Sequence, residues 1–204
     1  MKSVILCDGE HPEKNQLQND LKQASLFIAA DGGAQIAIQL NLYPDIIIGD
    51  LDSYEVTGEE ECEIIHDPDQ ETNDLEKALK FALTKSVTDV IVYGATGKRV
   101  DHTLKNLSVL LQFDSEFRSI VFKDRYSVMS IVKSPFRKAL PIGTSVSLFP
   151  LSGKVKKITT SGLQYPLKEG VLENGKMDGT SNRTVKKIIE IVFEKGDLLL
   201  LINL

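Results

Sequence analysis

The chain has 204 residues, 42% of them hydrophobic and 26% charged, enough for one large domain or two small ones and too apolar for intrinsic disorder. Its formal net charge of -5, with lysines and arginines scattered rather than clustered, gives no electrostatic footprint for nucleic acid. No apolar run approaches the roughly 20 residues that span a bilayer, so no membrane partner is expected.

In chain order, SVILC (3–7) reads as a buried strand and EKNQLQNDLKQA (13–24) as a polar helix with a sparse apolar stripe. LFIAA (26–30) is a second strand, followed by GGAQIAIQL (32–40), a short helix opening on two glycines. DIIIG (45–49) is a third strand and ECEII (61–65) a fourth. In NDLEKALKFALTK (73–85), Leu75, Ala78, Leu79, Ala82 and Leu83 fall on one helical face. Asn73 is a good N-cap there, and Glu76 completes a capping box. DVIVYG (89–94) is another strand, and DHTLKNLSVLLQF (101–113) another helix, with Asp101 as its expected N-cap.

After about residue 130 the pattern changes. TSVSLFP (144–150), KVKKITTSG (154–162), TVKKIIEIVF (184–193) and DLLLLINL (197–204) are strand-like, with no helix between them. EKGD (194–197) is expected to turn a hairpin. The expectation is an α/β N-terminal domain with a doubly wound, mostly parallel sheet over residues 1–132. A small all-β sandwich or barrel domain follows over 133–204, joined near KSPFRKALPIG (133–143).

In an open α/β sheet, ligands bind beyond the carboxyl ends of the strands. Four unusual segments fall at such ends: ADGGA (30–34), GDLDS (49–53), DQETND (69–74) and GATGKRVDH (94–102). Asp50 and Asp52 lie about 7 Å apart along a strand direction, and at an effective dielectric near 20 their repulsion is roughly 2 kcal/mol. A divalent cation offsets that; two solvated turn acids are the plainer alternative. Asp31, Asp50, Asp52 and Asp74 are therefore the candidates for holding magnesium, a hard cation that takes oxygen ligands.

Gly32 and Gly33, and again Gly94 and Gly97, let an anion approach the backbone, with Lys98 and Arg99 adding positive charge. Neither GxxxxGK[ST] nor GxGxxG is present, and each glycine segment alone would serve equally as a tight turn. Together these features point to a magnesium-dependent nucleotide enzyme whose acceptor the residues do not name. Cys7 and Cys62 form no CxxC pair, and the start MKSVILCDGEHPEKN has too short an apolar stretch for a signal peptide, so a cytoplasmic, reduced protein is expected.

Read in order, DGGA (31–34), PDIIIGDLDS (44–53), DQETNDLEKAL (69–79) and GATGKRVDHTLKNL (94–107) resemble the thiamin pyrophosphokinase family. SLFPLSG (147–153), TTSGLQYPL (159–167) and GTSN (179–182) extend the resemblance into the β domain. It implies pyrophosphoryl transfer from ATP to the hydroxyl of thiamin, by a homodimer that binds thiamin where one chain's catalytic domain meets the other's β domain. Carried over by position, Asp50, Asp52 and Asp74 hold magnesium and the phosphates, with Asp31 nearby. Arg99, Asp101 and His102 line the ATP side with the glycines, and Tyr165, Ser181 and Asn182 face thiamin. Where the family usually has Thr, this chain has Asn73, which caps a helix equally well. A tryptophan can occupy the position of Tyr165 in relatives; this chain has none. Two other readings stay open: a non-catalytic thiamin or nucleotide sensor, and a nucleotide-sugar transferase using the DxD acids.

Overall fold

The computed structural model describes residues 1–58 and 60–204. They form two compact units, Met1–Arg125 and Tyr126–Leu204.

The first unit is built on six parallel strands: β1 (Lys2–Leu6), β2 (Leu26–Ala30), β3 (Ile46–Gly49), β4 (Glu63–His66), β5 (Asp89–Tyr93) and β6 (Ser119–Lys123). Their order across the sheet is β6-β5-β1-β2-β3-β4. The chain winds outward from β1 to β4, returns to the other side of β1 at β5, and ends at β6. The winding sense thus reverses between β1 and β5, which is the switch point where an open sheet leaves a crevice.

Four helices connect the strands: α1 (Lys14–Leu21), α2 (Gly33–Gln39), α3 (Asp74–Thr84) and α4 (Val100–Phe113). One face of the sheet buries Val4, Leu6, Phe27, Ile91 and Tyr93 with Leu17 of α1 and Ile36 and Ala37 of α2. α3 buries Leu75, Ala78, Leu79 and Ala82 and packs on β2 and β3. Its start is the expected capping box: the Asn73 side chain accepts from the Glu76 N–H at 3.0 Å, and Glu76 accepts from the Asn73 N–H at 3.2 Å. At α4 the expectation fails by two residues. Arg99 is the N-cap, and Asp101 lies in the first turn, where its carboxylate is taken up by Arg99.

The second unit has two antiparallel sheets. The first orders β12 (Gly179–Arg183), β9 (Ser145–Pro150), β14 (Leu198–Asn203) and β7 (Ser127–Val132); the second orders β11 (Gly170–Glu173), β10 (Lys154–Ser161), β13 (Ile188–Val192) and β8 (Phe136–Ala139). Val146, Leu148, Leu198 and Leu200 of the first sheet pack with Val155, Ile158, Leu172, Ile189 and Ile191 of the second, which makes the unit a sandwich. β7 pairs with β14 along its whole length, which is why Ser127–Val132 belongs to this unit.

Two expectations are corrected here. EKGD does not turn a hairpin, because β13 pairs with β10 and β8 while β14 pairs with β7 and β9; the segment carries the chain from one sheet to the other. The supposed joining segment at 133–143 contains β8, which pairs with β13. Among the described residues, no helix is long and apolar enough to cross a membrane.

Candidate active site

A cavity of about 540 Å³ opens at the switch point, at the carboxyl ends of the parallel strands. It is lined by Asp31, Gly32, Asp50, Asp52, Asn73, Asp74, Gly94, Gly97, Lys98, Arg99 and His102, so most of the residues singled out in the first unit converge there. Gly33 and Asp101 do not line it. Gly33 lies in the first turn of α2 against β1, where a Cβ would come within 2.0 Å of the Leu6 carbonyl oxygen. Asp101 is turned to Arg99, whose hydrogen bonds hold its carboxyl down to about 2.

The acids form the first half of the site. Asp31, Asp50 and Asp74 bring one oxygen each to within 4.8 Å of one another, from the ends of β2 and β3 and the start of α3. Asp31 is 4% exposed, and its Oδ1 is buried with no hydrogen-bond partner. Burial pushes its carboxyl above the ordinary range; Ser53 opposes that, and the charge of Asp74 adds to it. A buried oxygen left bare beside two further carboxylates is costly unless a cation is shared among them. Asp50 accepts from the Gln70 amide at 3.0 Å, which holds its carboxyl low. Asp52 faces the same cavity outside the trio and accepts from the Ser53 hydroxyl at 2.8 Å.

Local backbone explains the sequence around these acids. Asp31 and Leu51 both have left-handed φ, at 43° and 59°, a conformation that only a surrounding structure holds in place for non-glycine residues. Gly49 ends β3 because a Cβ there would lie 2.8 Å from the Asp31 Cβ and 3.1 Å from the Asp74 Oδ1. Beneath the acids, Lys77 is buried on the inner face of α3 and donates to the Asp74 Oδ1 at 3.2 Å.

The second half is the loop after β5. It is joined to the loop after β1 by main-chain bonds from Cys7 N–H to Tyr93 O, Gly9 N–H to Gly94 O and Glu10 N–H to Thr96 O, at 2.7–2.8 Å. A Cβ on Gly94 would meet the Cys7 carbonyl oxygen at 2.2 Å, so this close approach admits only glycine. Lys98 pairs with Asp8 at 2.7 Å, and Arg99 pairs with Asp101. The two halves are tied through asparagines: the Asn73 amide donates to Asn106 at 2.8 Å, and the Asn106 amide donates to the Ala95 carbonyl at 2.8 Å.

Sequence reasoning missed Asp8, Gly9, Lys77, Lys105 and Asn106. CDG at residues 7–9 follows the first strand as ADGG follows the second, and that parallel was the available signal. Lys77 carried no signal, since a lysine beside helical apolar positions reads as solvated.

In the second unit Tyr165 is 64% exposed. Asn182 is 7% exposed and spent on the main chain of Tyr165, accepting from its N–H at 3.1 Å and donating to its carbonyl at 2.9 Å. Ser181 has a φ of 58° and donates its N–H to the Ser147 hydroxyl at 3.1 Å.

Two family models match the chain. The thiamin pyrophosphokinase catalytic domain matches residues 17–122, and the thiamin pyrophosphokinase vitamin B1 binding domain matches 134–198. The chain belongs to the thiamin pyrophosphokinase family. Thiamin pyrophosphokinase 1 of Caenorhabditis elegans is 30% identical over 182 residues, covering 82% of this chain and 75% of that protein. The thiamine pyrophosphokinase of Bacillus subtilis strain 168 is 25% identical over 220 residues, with 98% of each covered. In fold, the chain superposes on the crystal structure of thiamin pyrophosphokinase from Geobacillus thermodenitrificans with a TM-score of 0.85 at 22% identity, covering 100% of this chain and 98% of that one. The yeast thiamin pyrophosphokinase structure gives 0.86 at 15% identity, covering 99% and 86%.

Proposed function

We propose that this chain transfers a pyrophosphoryl group from ATP to the hydroxyl of thiamin, giving thiamin diphosphate and AMP. The observation that carries the reading is the acid trio with its bare, buried Asp31 oxygen, set in the same cavity as Lys98 and Arg99. Asp31, Asp50 and Asp74 would hold a divalent cation, magnesium by preference for an all-oxygen set, and Asp52 adds a fourth carboxylate to the cavity. Magnesium supplies neutralisation of phosphate charge there.

The chain's own residues do the rest by positioning. Gly32 and the glycine-rich turn at 94–97 let the backbone approach a polyphosphate, and Lys98 and Arg99 offer it positive charge from the loop after β5. His102, on the first turn of α4, lines the same cavity. Tyr165 presents an exposed ring suited to stacking on a cationic thiazolium, and Ser181 precedes Asn182 on β12. Asn182 contributes by holding the Tyr165 main chain.

A homodimer is part of the same proposal. Val100 and Leu104, one turn apart on α4, are 71% and 61% exposed, an apolar strip that a second copy would cover. A cytoplasmic location accords with two free thiols, Cys7 and Cys62.

The test is incubation of the purified protein with thiamin, ATP and magnesium, followed by chromatography of nucleotides and thiamin species. Equal amounts of AMP and thiamin diphosphate, dependent on magnesium, are expected. ADP with thiamin monophosphate would replace the reaction by simple phosphoryl transfer, and bound thiamin with no turnover would make the chain a sensor.

A further inference from the structure

Lys77 is 3% exposed, lies one turn into α3 from Asp74 and has its ammonium 3.2 Å from the Asp74 Oδ1. Asp74 lies on the cavity wall, whereas Lys77 is not among the residues that line the cavity. A buried ammonium is costly and persists only where its surroundings need the charge or the bond. Ordinary helix packing needs neither: Leu75, Ala78 and Leu79 beside it on α3 are apolar, and the buried Glu76 is paired with Lys105. The three clustered carboxylates carry three negative charges when ionised; the ammonium leaves two, the complement of one divalent cation.

We propose that Lys77 is a positioning residue that acts from beneath the acid trio: it holds Asp74 in place and lowers the trio's attraction for a divalent cation, so that metal is held loosely without nucleotide. This rests on the reading of the trio as a cation site. The buried charge repels a cation at the trio, and the hydrogen bond keeps the Asp74 oxygen close to Asp31 and Asp50.

The test measures Mn2+ binding to full-length protein without nucleotide, by the loss of the free-ion paramagnetic resonance signal, in wild type, Asp50→Asn, Lys77→Met and Lys77→Gln. Wild type should bind Mn2+, and Asp50→Asn should bind it far more weakly. Lys77→Met should bind it about tenfold more tightly than wild type, because losing a repelling charge close to the site outweighs losing one hydrogen bond to Asp74. Lys77→Gln keeps a donor toward Asp74 and should tighten binding as well, which covers the case in which Lys77→Met does not fold. A purely structural lysine predicts the opposite sign, since loosening Asp74 weakens a site. Unchanged or weaker Mn2+ binding in the folded Lys77 variants, with Asp50→Asn impaired, overturns the role of Lys77 alone. Equal binding by wild type and Asp50→Asn overturns the cation site and this proposal with it.

Discussion

Replacing Gly49 by alanine probes how tightly the acid trio is packed. The added Cβ would lie 2.8 Å from the Asp31 Cβ, 3.3 Å from its Cα and 3.1 Å from the Asp74 Oδ1. Carbon atoms settle at about 3.5–4.0 Å, so either β3 or Asp31 must move by about 0.7 Å or more. Asp31 cannot yield freely: its φ is 43°, and its N–H is bonded to the Ile48 carbonyl at 2.9 Å. Overpacking of this kind costs about 1–3 kcal/mol of stability. Misplacement approaching 1 Å in a site that works by positioning costs on the order of 100-fold in rate. The assay combines AMP release, Mn2+ affinity and the urea midpoint. Gly49→Ala is expected to stay folded, unfold at lower urea and lose about 100-fold in kcat. Wild-type kcat and Mn2+ affinity in this variant would refute the claim that the glycine is there for the carboxylates.

Asn73→Ala removes the α3 cap and the link to Asn106, and should destabilise the protein by about 1–2 kcal/mol, read from urea unfolding. Asp20 accepts from the Tyr93 hydroxyl and from Lys123, both at 2.6 Å, and despite the upward push of burial these partners hold its carboxyl below the ordinary 3.8. Its contribution is therefore present above pH 3.8 and lost as pH falls through the lower folded-state value; Asp20→Asn should cost about 1–3 kcal/mol at pH 7, with the gap to wild type closing below pH 3.8 in thermal melts. Asn182→Ala frees the Tyr165 main chain, and should raise KM for thiamin several-fold while leaving KM for ATP near wild type. Asp52→Asn should abolish turnover without shifting the urea midpoint, because the side chain is exposed and bonded only locally to Ser53 among its described contacts.

What was legible followed from period and punctuation. α3 was readable to its cap because Asn73, Glu76 and the apolar face agree, and the parallel sheet was readable because its strands are continuous apolar runs bounded by turns. β8 and β12 were not, since FRKA and GTSNR have little apolar alternation and are held by pairing with neighbours far along the chain. β6 and β7 carry apolar signals in SIVFK and SVMSIV, but no turn signal between them marks where one unit ends and the next begins, so β7 lies on the other side of the expected boundary. At the site, the segments were visible but not the grouping. Spacing singles out Asp50 with Asp52, whereas the left-handed turn at Leu51 sets Asp50 beside Asp31 and Asp74 and leaves Asp52 outside the trio. The EKGD error has the same origin: a local turn signal cannot say whether the next strand stays in the sheet.

The way Tyr165 is held bears on how such an enzyme could change its acceptor over evolutionary time. Its main chain is clamped from both sides by Asn182, while its ring lies largely in solvent and contributes little to the core of the sandwich. Under the proposed role of Tyr165, substitution there would alter the surface offered to an acceptor without asking the fold to readjust. The acid trio has no such latitude, since Gly49 leaves no room for a side chain beside Asp31 and Asp74. Variation in acceptor choice should therefore collect at position 165, while the machinery for the donor stays constant.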